Sequence, residues 1–397
     1  MATNNNFDRI ERLPPYVFAE VNSMKANERS LGEDVIDFGM GNPDTPTPNH
    51  IVDKLCDTIK DPKSHRYSVS RGILGLRKAQ ANYYKRRFNV DVNPDSEVIV
   101  TLGSKEGLAN LASAITSNGD KVIVPNPSYP IHPYGFIIAG ASVLSIDSTP
   151  NENFIKNLHK ILSSNNNRAK ALVLNYPNNP TTRMASLEFF KEVVDICIKY
   201  EVYILSDIAY AEIYFDGEIP PSILEVPRAK NIAIEFSSLS KTYSMPGWRV
   251  GFAVGNKSLV QALTKIKSYL DYGAFTPVQV ASIAALNGPQ ECVNDIRSIY
   301  MKRRDILVEG LSRIGWKVES PKATMFVWAK LPDRFLDIGS LEFSKLLLKY
   351  GKVAVAPGVG FGENGEGFVR IGLVENDYRI RQAIKNIKLF FDNYKEK

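Results

Sequence analysis

The chain has 397 residues, 44% of them apolar, which is ordinary globular composition and enough length for two domains or one large α/β domain. Its 49 Lys and Arg against 43 Asp and Glu leave a net charge of +6, and no basic block interleaved with aromatics is present, which argues against a nucleic-acid partner. Cys56, Cys197 and Cys292 are too scattered for a disulfide framework or a zinc motif, and no signal-peptide core or membrane-length apolar run occurs, so a cytoplasmic protein is expected.

In chain order, the first segment to about Leu31 is polar apart from Leu13-Pro14-Pro15-Tyr16-Val17-Phe18. Two prolines forbid a regular element there, so an arm followed by a short helix is expected. Residues 35–39 read as a strand ending in the turn Met40-Gly41-Asn42-Pro43-Asp44. From Val98 onward, short β-branched runs recur at 98–101, 121–124, 142–146, 171–174, 202–205, 232–236 and 250–254. Helical stretches separate most of them. In 105–117, for example, Leu108, Leu111, Ala112 and Ile115 share one face. Seven apolar strands alternating with helices predict an α/β fold with a seven-stranded, mostly parallel sheet covered on both faces. No helix joins the last two runs, so one of those strands is a candidate for antiparallel pairing.

After about Glu291 the pattern changes to a long charged helix at 295–312, strands at 325–329, 353–356 and 368–373, and helices at 340–350 and 377–393. This predicts a smaller α+β domain. The expected division is residues 1–45 as N-terminal arm and part of the small domain, 46–290 as the large domain, and 291–397 as the small C-terminal domain.

In a doubly wound sheet, ligands bind beyond the carboxyl ends of the strands. Leu102-Gly103-Ser104-Lys105 opens a helix after the first run, an anion site when its N–H groups are free. Many helices start this way without a ligand. Tyr129 follows the second run and offers a stacking face, or simply a rim tyrosine in a Pro-rich turn. Asn175 to Thr182 is rich in amide donors and rigid turns. Ser206-Asp207-Ile208-Ala209-Tyr210 places a carboxylate at a depth where it needs a cation, unless Asp207 merely caps a helix. Lys241 ends the polar loop Ser237-Ser238-Leu239-Ser240-Lys241, eight residues before Arg249. A buried lysine loses its proton readily and can attack a carbonyl, and serines with an arginine suit a phosphate. Taken alone, Lys241 is better explained as a solvated lysine in a surface loop. Together these groups match what a phosphorylated carbonyl cofactor such as pyridoxal 5′-phosphate (PLP) requires.

Over nearly its whole length the chain resembles the class I and II aminotransferases, PLP-dependent transferases of fold type I. The resemblance rests on Asn179-Pro180-Thr181, Ser206-Asp207-Ile208-Ala209-Tyr210, and Ser238-Leu239-Ser240-Lys241 with Arg249, in order and spacing. It is closer to the bacterial glutamate–pyruvate (alanine) aminotransferases through Leu13–Phe18, Met40–Asp44, Thr101–Gly107, Ile266-Lys267-Ser268-Tyr269 and Asp271–Pro277. The LL-diaminopimelate aminotransferases share several of these features.

The resemblance implies roles for individual residues. Lys241 would hold PLP covalently and move the substrate proton, and Asp207 would keep the pyridine nitrogen protonated. Asn179 and Tyr210 would bond the ring oxygen, and Tyr129 would stack on the ring. Gly103, Ser104, Lys105 (through its backbone), Ser238, Ser240 and Arg249 would surround the phosphate. Tyr67 would reach the phosphate of a neighbouring subunit, which implies a homodimer with composite sites. Arg370 would clamp the substrate α-carboxylate, Gly41 would let its backbone approach that carboxylate, and Tyr16 would close the pocket.

Thr182 stands where most such relatives carry glycine, and so implies a slightly different backbone, although the alanine-type relatives also lack that glycine. Gly360-Phe361-Gly362-Glu363-Asn364-Gly365 spells a dinucleotide fingerprint but precedes a strand, so a flexible loop is expected. His50, His65, His132 and His159 lack partners at ligand spacing, so no metal site is expected. The implied activity is amino transfer between L-alanine and 2-oxoglutarate. LL-diaminopimelate or aspartate aminotransfer, or a C–S lyase on the same fold, are the alternatives. A non-catalytic regulator is the remaining one.

Overall fold

The computed structural model describes residues 7–15, 17–164 and 168–394; Tyr16, expected to close the pocket, lies outside the described residues. Strand β1 (Ile36–Asp37) comes first and is only two residues long. A seven-stranded sheet then forms from β2 (Val98–Thr101), β3 (Lys121–Asn126), β4 (Ser142–Asp147), β5 (Ala169–Asn175), β6 (Tyr203–Asp207), β7 (Ala233–Ser238) and β8 (Gly251–Gly255). Each of the seven apolar runs becomes one strand. Their spatial order is β2-β8-β7-β6-β5-β3-β4. Only β8 is antiparallel, pairing with β2 on one side and β7 on the other. A parallel return to the sheet needs a crossover of a dozen or more residues, and the short link from Ser238 to Gly251 carries no long helix to make one.

All but the edge strand β4 are largely buried, which explains why these runs are apolar without alternation. Val98, Val100, Ile123, Leu172, Leu174, Ile204 and Phe252 pack on one face, while Ile99, Val122, Val124, Val173, Leu205 and Phe236 pack on the other. Helices Leu74–Phe88 and Leu187–Lys199 contribute to the first layer, Ser104–Ile115 and Lys257–Leu270 to the second. The helix Ser104–Ile115 begins at Gly103, whose φ of +85° suits glycine.

A second core gathers around β9 (Phe326–Lys330) and β12 (Phe368–Gly372), which pair antiparallel and are joined on the far side of β12 by β11 (Ala356–Pro357). The run expected as one strand at 353–356 divides. Residues Val353–Ala354 form β10 and pair in parallel with β1, so Val355 is where the chain passes from one sheet to the other. Helices Glu291–Arg313, Gly339–Gly351 and Asp377–Asn393 cover this core, with Trp316, Phe335, Phe343 and Phe390 inside it. Tyr210, Ile213 and Phe215, just beyond β6, belong to the same cluster and tie it to the large sheet.

The glycine-rich segment before β12 corrects the expectation of a flexible loop. It folds as two short 3-10 turns, Gly358–Phe361 and Glu363–Gly365, with Phe361 buried. The Ser128 N–H donates to the Phe361 carbonyl at 2.8 Å, and the Phe18 ring meets Phe361 edge-on at 5.1 Å. Glycines are required here because Gly358 and Gly365 pass backbone against backbone, leaving no room for a Cβ on either.

Candidate active site

A cavity of about 650 Å³ opens where the carboxyl ends of β5, β6 and β7 meet the second core. Gly41, Gly103, Ser104, Lys105, Tyr129, Asn179, Asp207, Tyr210, Ser238, Ser240, Lys241, Arg249 and Arg370 all line it. Tyr67 does not. It is 85% exposed at the surface, tilted against Tyr272 with ring centroids 4.6 Å apart.

Sheet register sets the floor. Asn175, the last residue of β5, lies beside Asp207, the last of β6, which lies beside Phe236 of β7. Parallel strands in step thus present their terminal side chains at one level. Asn175 Nδ2 donates to the Asp207 carbonyl at 2.8 Å, and its Oδ1 accepts the Asn179 N–H at 2.9 Å. The Asp207 carboxylate is buried. Oδ1 accepts the Ala209 N–H at 3.0 Å, and Oδ2 lies 3.1 Å from His132 Nε2. Among the described residues, no lysine or arginine pairs with it.

Lys241 stands in the single turn Leu239–Thr242 that follows β7, and its Nζ donates to the Gly41 carbonyl at 2.8 Å. Burial, reinforced by the positive charges of Arg370 and Arg249, lowers its pKa to about 7. Half of such lysines are neutral near physiological pH, against roughly one in a thousand for a lysine of ordinary pKa. Tyr210 is buried nearby, and burial pushes its phenol well above the usual range, which keeps it a protonated donor.

An anion cradle forms at one end of the cavity. The free N–H groups at the start of Ser104–Ile115 face the Ser238 and Ser240 hydroxyls and Arg249 across the site. Ser238 Oγ is 2.9 Å from Ser240 Oγ, and Arg249 Nη2 donates to the Leu102 carbonyl at 3.0 Å. A side chain at Gly103 would strike the Arg249 guanidinium, and one at Gly251 would come within 2.7 Å of the Ser104 nitrogen. The close approach of the two segments therefore depends on both glycines.

At the opposite end, β12 delivers Arg370, which is 7% exposed. Its Nη1 donates to Asn179 Oδ1 at 2.7 Å and its Nη2 to the Gly39 carbonyl at 3.2 Å. The guanidinium carbon lies 4.1 Å from the centre of the Phe326 ring and 4.7 Å from that of Phe361. Two aromatic faces and two acceptors fix its plane. A Cβ on Gly41 would come within 2.6 Å of Phe326 Cζ, so glycine lets the backbone approach this group.

Three features differ from the sequence reading. His132 pairs with the carboxylate of Asp207, seventy-five residues away, a contact that ligand spacing in the sequence does not reveal. Its only local signal is its place one helical turn beyond Tyr129, whose ring it meets edge-on at 5.9 Å. Phe326 and Phe361 were not foreseen as walls, because an aromatic in a strand or a glycine-rich turn reads equally well as core. Thr182 does not relax into an ordinary conformation. It keeps a left-handed backbone, with φ of +62°, and its N–H donates to the Asn178 carbonyl at 2.9 Å. The surrounding hydrogen bonds hold the turn, and threonine bears the strain.

A mostly parallel sheet with a lysine, a buried carboxylate and an anion cradle at its strand ends is an arrangement suited to a phosphorylated carbonyl ligand. The model of the aminotransferases of class I and II matches residues 33–387. "Putative aminotransferase AatC" of Rhizobium meliloti (strain 1021) is 56% identical, covering 98% of this chain and 96% of the relative. The glutamate-pyruvate aminotransferase AlaC of Escherichia coli (strain K12) is 53% identical over 97% of this chain and 93% of its own. The LL-diaminopimelate aminotransferase of Moorella thermoacetica is 43% identical over 96% and 97%. Among solved structures, substrate-bound BacF from Bacillus subtilis superposes with a TM-score of 0.90 at 34% identity, covering 96% of this chain and 97% of that one. The chain belongs to the class I and II aminotransferases and has their fold type I architecture.

Proposed function

We propose that this aminotransferase binds PLP in the cavity and exchanges an amino group between L-alanine and 2-oxoglutarate. The observation that carries the proposal is that Lys241 Nζ, the Asp207 carboxylate and the Arg370 guanidinium line one cavity, with an anion cradle beside them. The residues fit the cofactor. A buried carboxylate without a lysine or arginine suits a protonated pyridine nitrogen, and the cradle suits a phosphate. When bound, PLP supplies a ring that withdraws electrons from the substrate Cα.

The chain's own groups supply the rest. Lys241, half neutral at about pH 7, would hold the cofactor through its amine and carry the proton taken from Cα. Asp207, oriented by His132, would keep the ring nitrogen protonated. Tyr210 would donate toward the ring oxygen, and Tyr129 would cover one ring face. Arg370, held flat by Asn179 and Phe326, takes the α-carboxylate in a two-pronged pair. The preference for alanine and 2-oxoglutarate is supported by the 53% identity to the glutamate-pyruvate aminotransferase AlaC. Diaminopimelate as donor is the second reading, supported by the 43% identity to the LL-diaminopimelate enzyme. The exposed Tyr67–Tyr272 pair supports a homodimer in which Tyr67 completes the partner's site.

An amino-donor panel against pyruvate and 2-oxoglutarate, run on the wild type and on Lys241→Ala, tests the proposal. Alanine should be the best donor to 2-oxoglutarate, and the variant should lose turnover. Faster turnover with diaminopimelate would move the assignment to the second reading. Pyruvate, ammonia and sulfide released together from cysteine, with no 2-oxo acid acceptor present, would replace aminotransfer by lyase chemistry, and undiminished turnover by Lys241→Ala would refute the role of Lys241.

A further inference from the structure

Helix Lys257–Leu270 lies against helix Ser104–Ile115, and near its end it buries Lys267, of which 1% is exposed. Burying an ammonium is costly unless charged partners surround it. Here Nζ donates to Glu106 Oε1 at 2.7 Å and to Asp271 Oδ2 at 2.8 Å. Neither carboxylate touches the cavity, so the cluster is no part of the site described above.

Each carboxylate has a second task. Glu106 Oε2 accepts the Leu102 N–H at 2.8 Å, and the Leu102 carbonyl accepts from Arg249. Leu102 immediately precedes Gly103 and Ser104, so Glu106 holds the turn that presents the cradle's N–H groups. Asp271 Oδ1 accepts the Gly273 N–H at 2.6 Å, and its carbonyl accepts the Ser70 hydroxyl at 2.5 Å. Gly273, with φ of +79°, lies so close to the Val69 carbonyl that no Cβ would fit. The loop bearing Tyr272 and the segment bearing Tyr67 are thereby locked together.

We propose that Lys267 is a positioning residue for the anion cradle, holding the Leu102–Ser104 turn in register with the Tyr67–Tyr272 surface through Glu106 and Asp271. Its single ammonium satisfies two carboxylates that would otherwise face each other as like charges, and each anchors a different loop. Without it, Glu106 keeps only the Asn110 amide and the Leu102 N–H as partners, its charge unbalanced, and the N–H groups of the cradle lose their aim. The groups beside Lys241 and Arg370 are untouched by that change. The inference rests on the cofactor reading above and deepens it at the phosphate end.

The test compares PLP with pyridoxal, which lacks the phosphate, as ligands of the full-length wild type, Lys267→Met and Lys267→Arg. Dissociation constants come from absorbance titration, with circular dichroism verifying the fold. Wild type should prefer PLP strongly. Lys267→Met should lose at least tenfold in PLP affinity while its pyridoxal affinity stays within twofold, and Lys267→Arg should recover most of the loss. A purely structural role would weaken both ligands equally, in Lys267→Met or, should that variant misfold, in Lys267→Arg, and would overturn the inference. So would wild-type PLP affinity in Lys267→Met. A wild type that binds PLP no better than pyridoxal would overturn both this inference and the cofactor reading, whereas the variant outcomes bear on Lys267 alone.

Discussion

His132 Nε2 lies 3.1 Å from Asp207 Oδ2, and both side chains are buried, with Asp207 lining the cavity. The helix Ile131–Ile138 thus reaches across to the end of β6 and fixes the orientation of the carboxylate that lines the cavity. A carboxylate held by the Ala209 N–H on one oxygen and an imidazole on the other has little freedom to turn.

Replacing His132 with leucine should therefore act on catalysis through Asp207. One lost hydrogen bond to a charged group is worth about 1.5–3 kcal/mol. If most of it is felt when the ring takes up charge, kcat should fall by roughly ten- to a hundredfold. The KM for alanine should change less, because Arg370 is untouched. Steady-state kinetics separates the two, and an unchanged kcat would show that Asp207 needs no help from His132.

The lowered pKa of Lys241 has a pH signature in the cofactor-free protein. Only the neutral amine attacks a carbonyl, so the rate of covalent PLP capture should rise about tenfold per unit below pH 7. It should level off above pH 7, because the pKa is about 7. Stopped-flow absorbance across pH 5.5–9.5 reads this directly. A rate that still climbs steeply above pH 9 would mean an ordinary lysine, and hence a site far wetter than the cavity walls imply.

Thr182 offers a stability test. Its left-handed backbone costs roughly 1–2 kcal/mol for a residue with a Cβ, whereas glycine costs roughly 0.4–1 kcal/mol through the freedom it gains when unfolded. Thr182→Gly should therefore stabilise the protein by about 0.5–1 kcal/mol in urea denaturation. A destabilised variant would show that the threonine side chain contributes packing that outweighs the strain.

Much of the fold was legible because its signals are local. The run 202–205 reads as a buried strand from four consecutive residues, and Asp207 and Tyr210 follow it by position alone. Lys241 and Arg249, eight residues apart, stand out through neighbouring serines and the second strand that follows Arg249. The glycine-rich segment misled for the same reason. Gly360 and Gly362 look mobile to a local reading, whereas a close backbone crossing at Gly358 and Gly365 and a buried Phe361 hold the turns in place. The division at Val355 was equally invisible, since both short strands are apolar and only their partners differ.

By itself the sequence determined which segments form the large sheet, which residues stand at their ends, and hence the chemistry available to a ligand there. Strand periodicity and turn composition are properties of a few adjacent residues, and they survive whatever the rest of the chain does. Only the tertiary structure decided which of those residues meet. Lys241 reaches Gly41 across 200 positions, Arg370 reaches Asn179 across 191, and His132 reaches Asp207 across 75. The strand order β2-β8-β7-β6-β5-β3-β4 differs from the chain order, and long-range packing sets it. No local pattern encodes that packing, so the pairing of His132 with Asp207 and the burial of Lys267 between two carboxylates became visible only in the folded molecule.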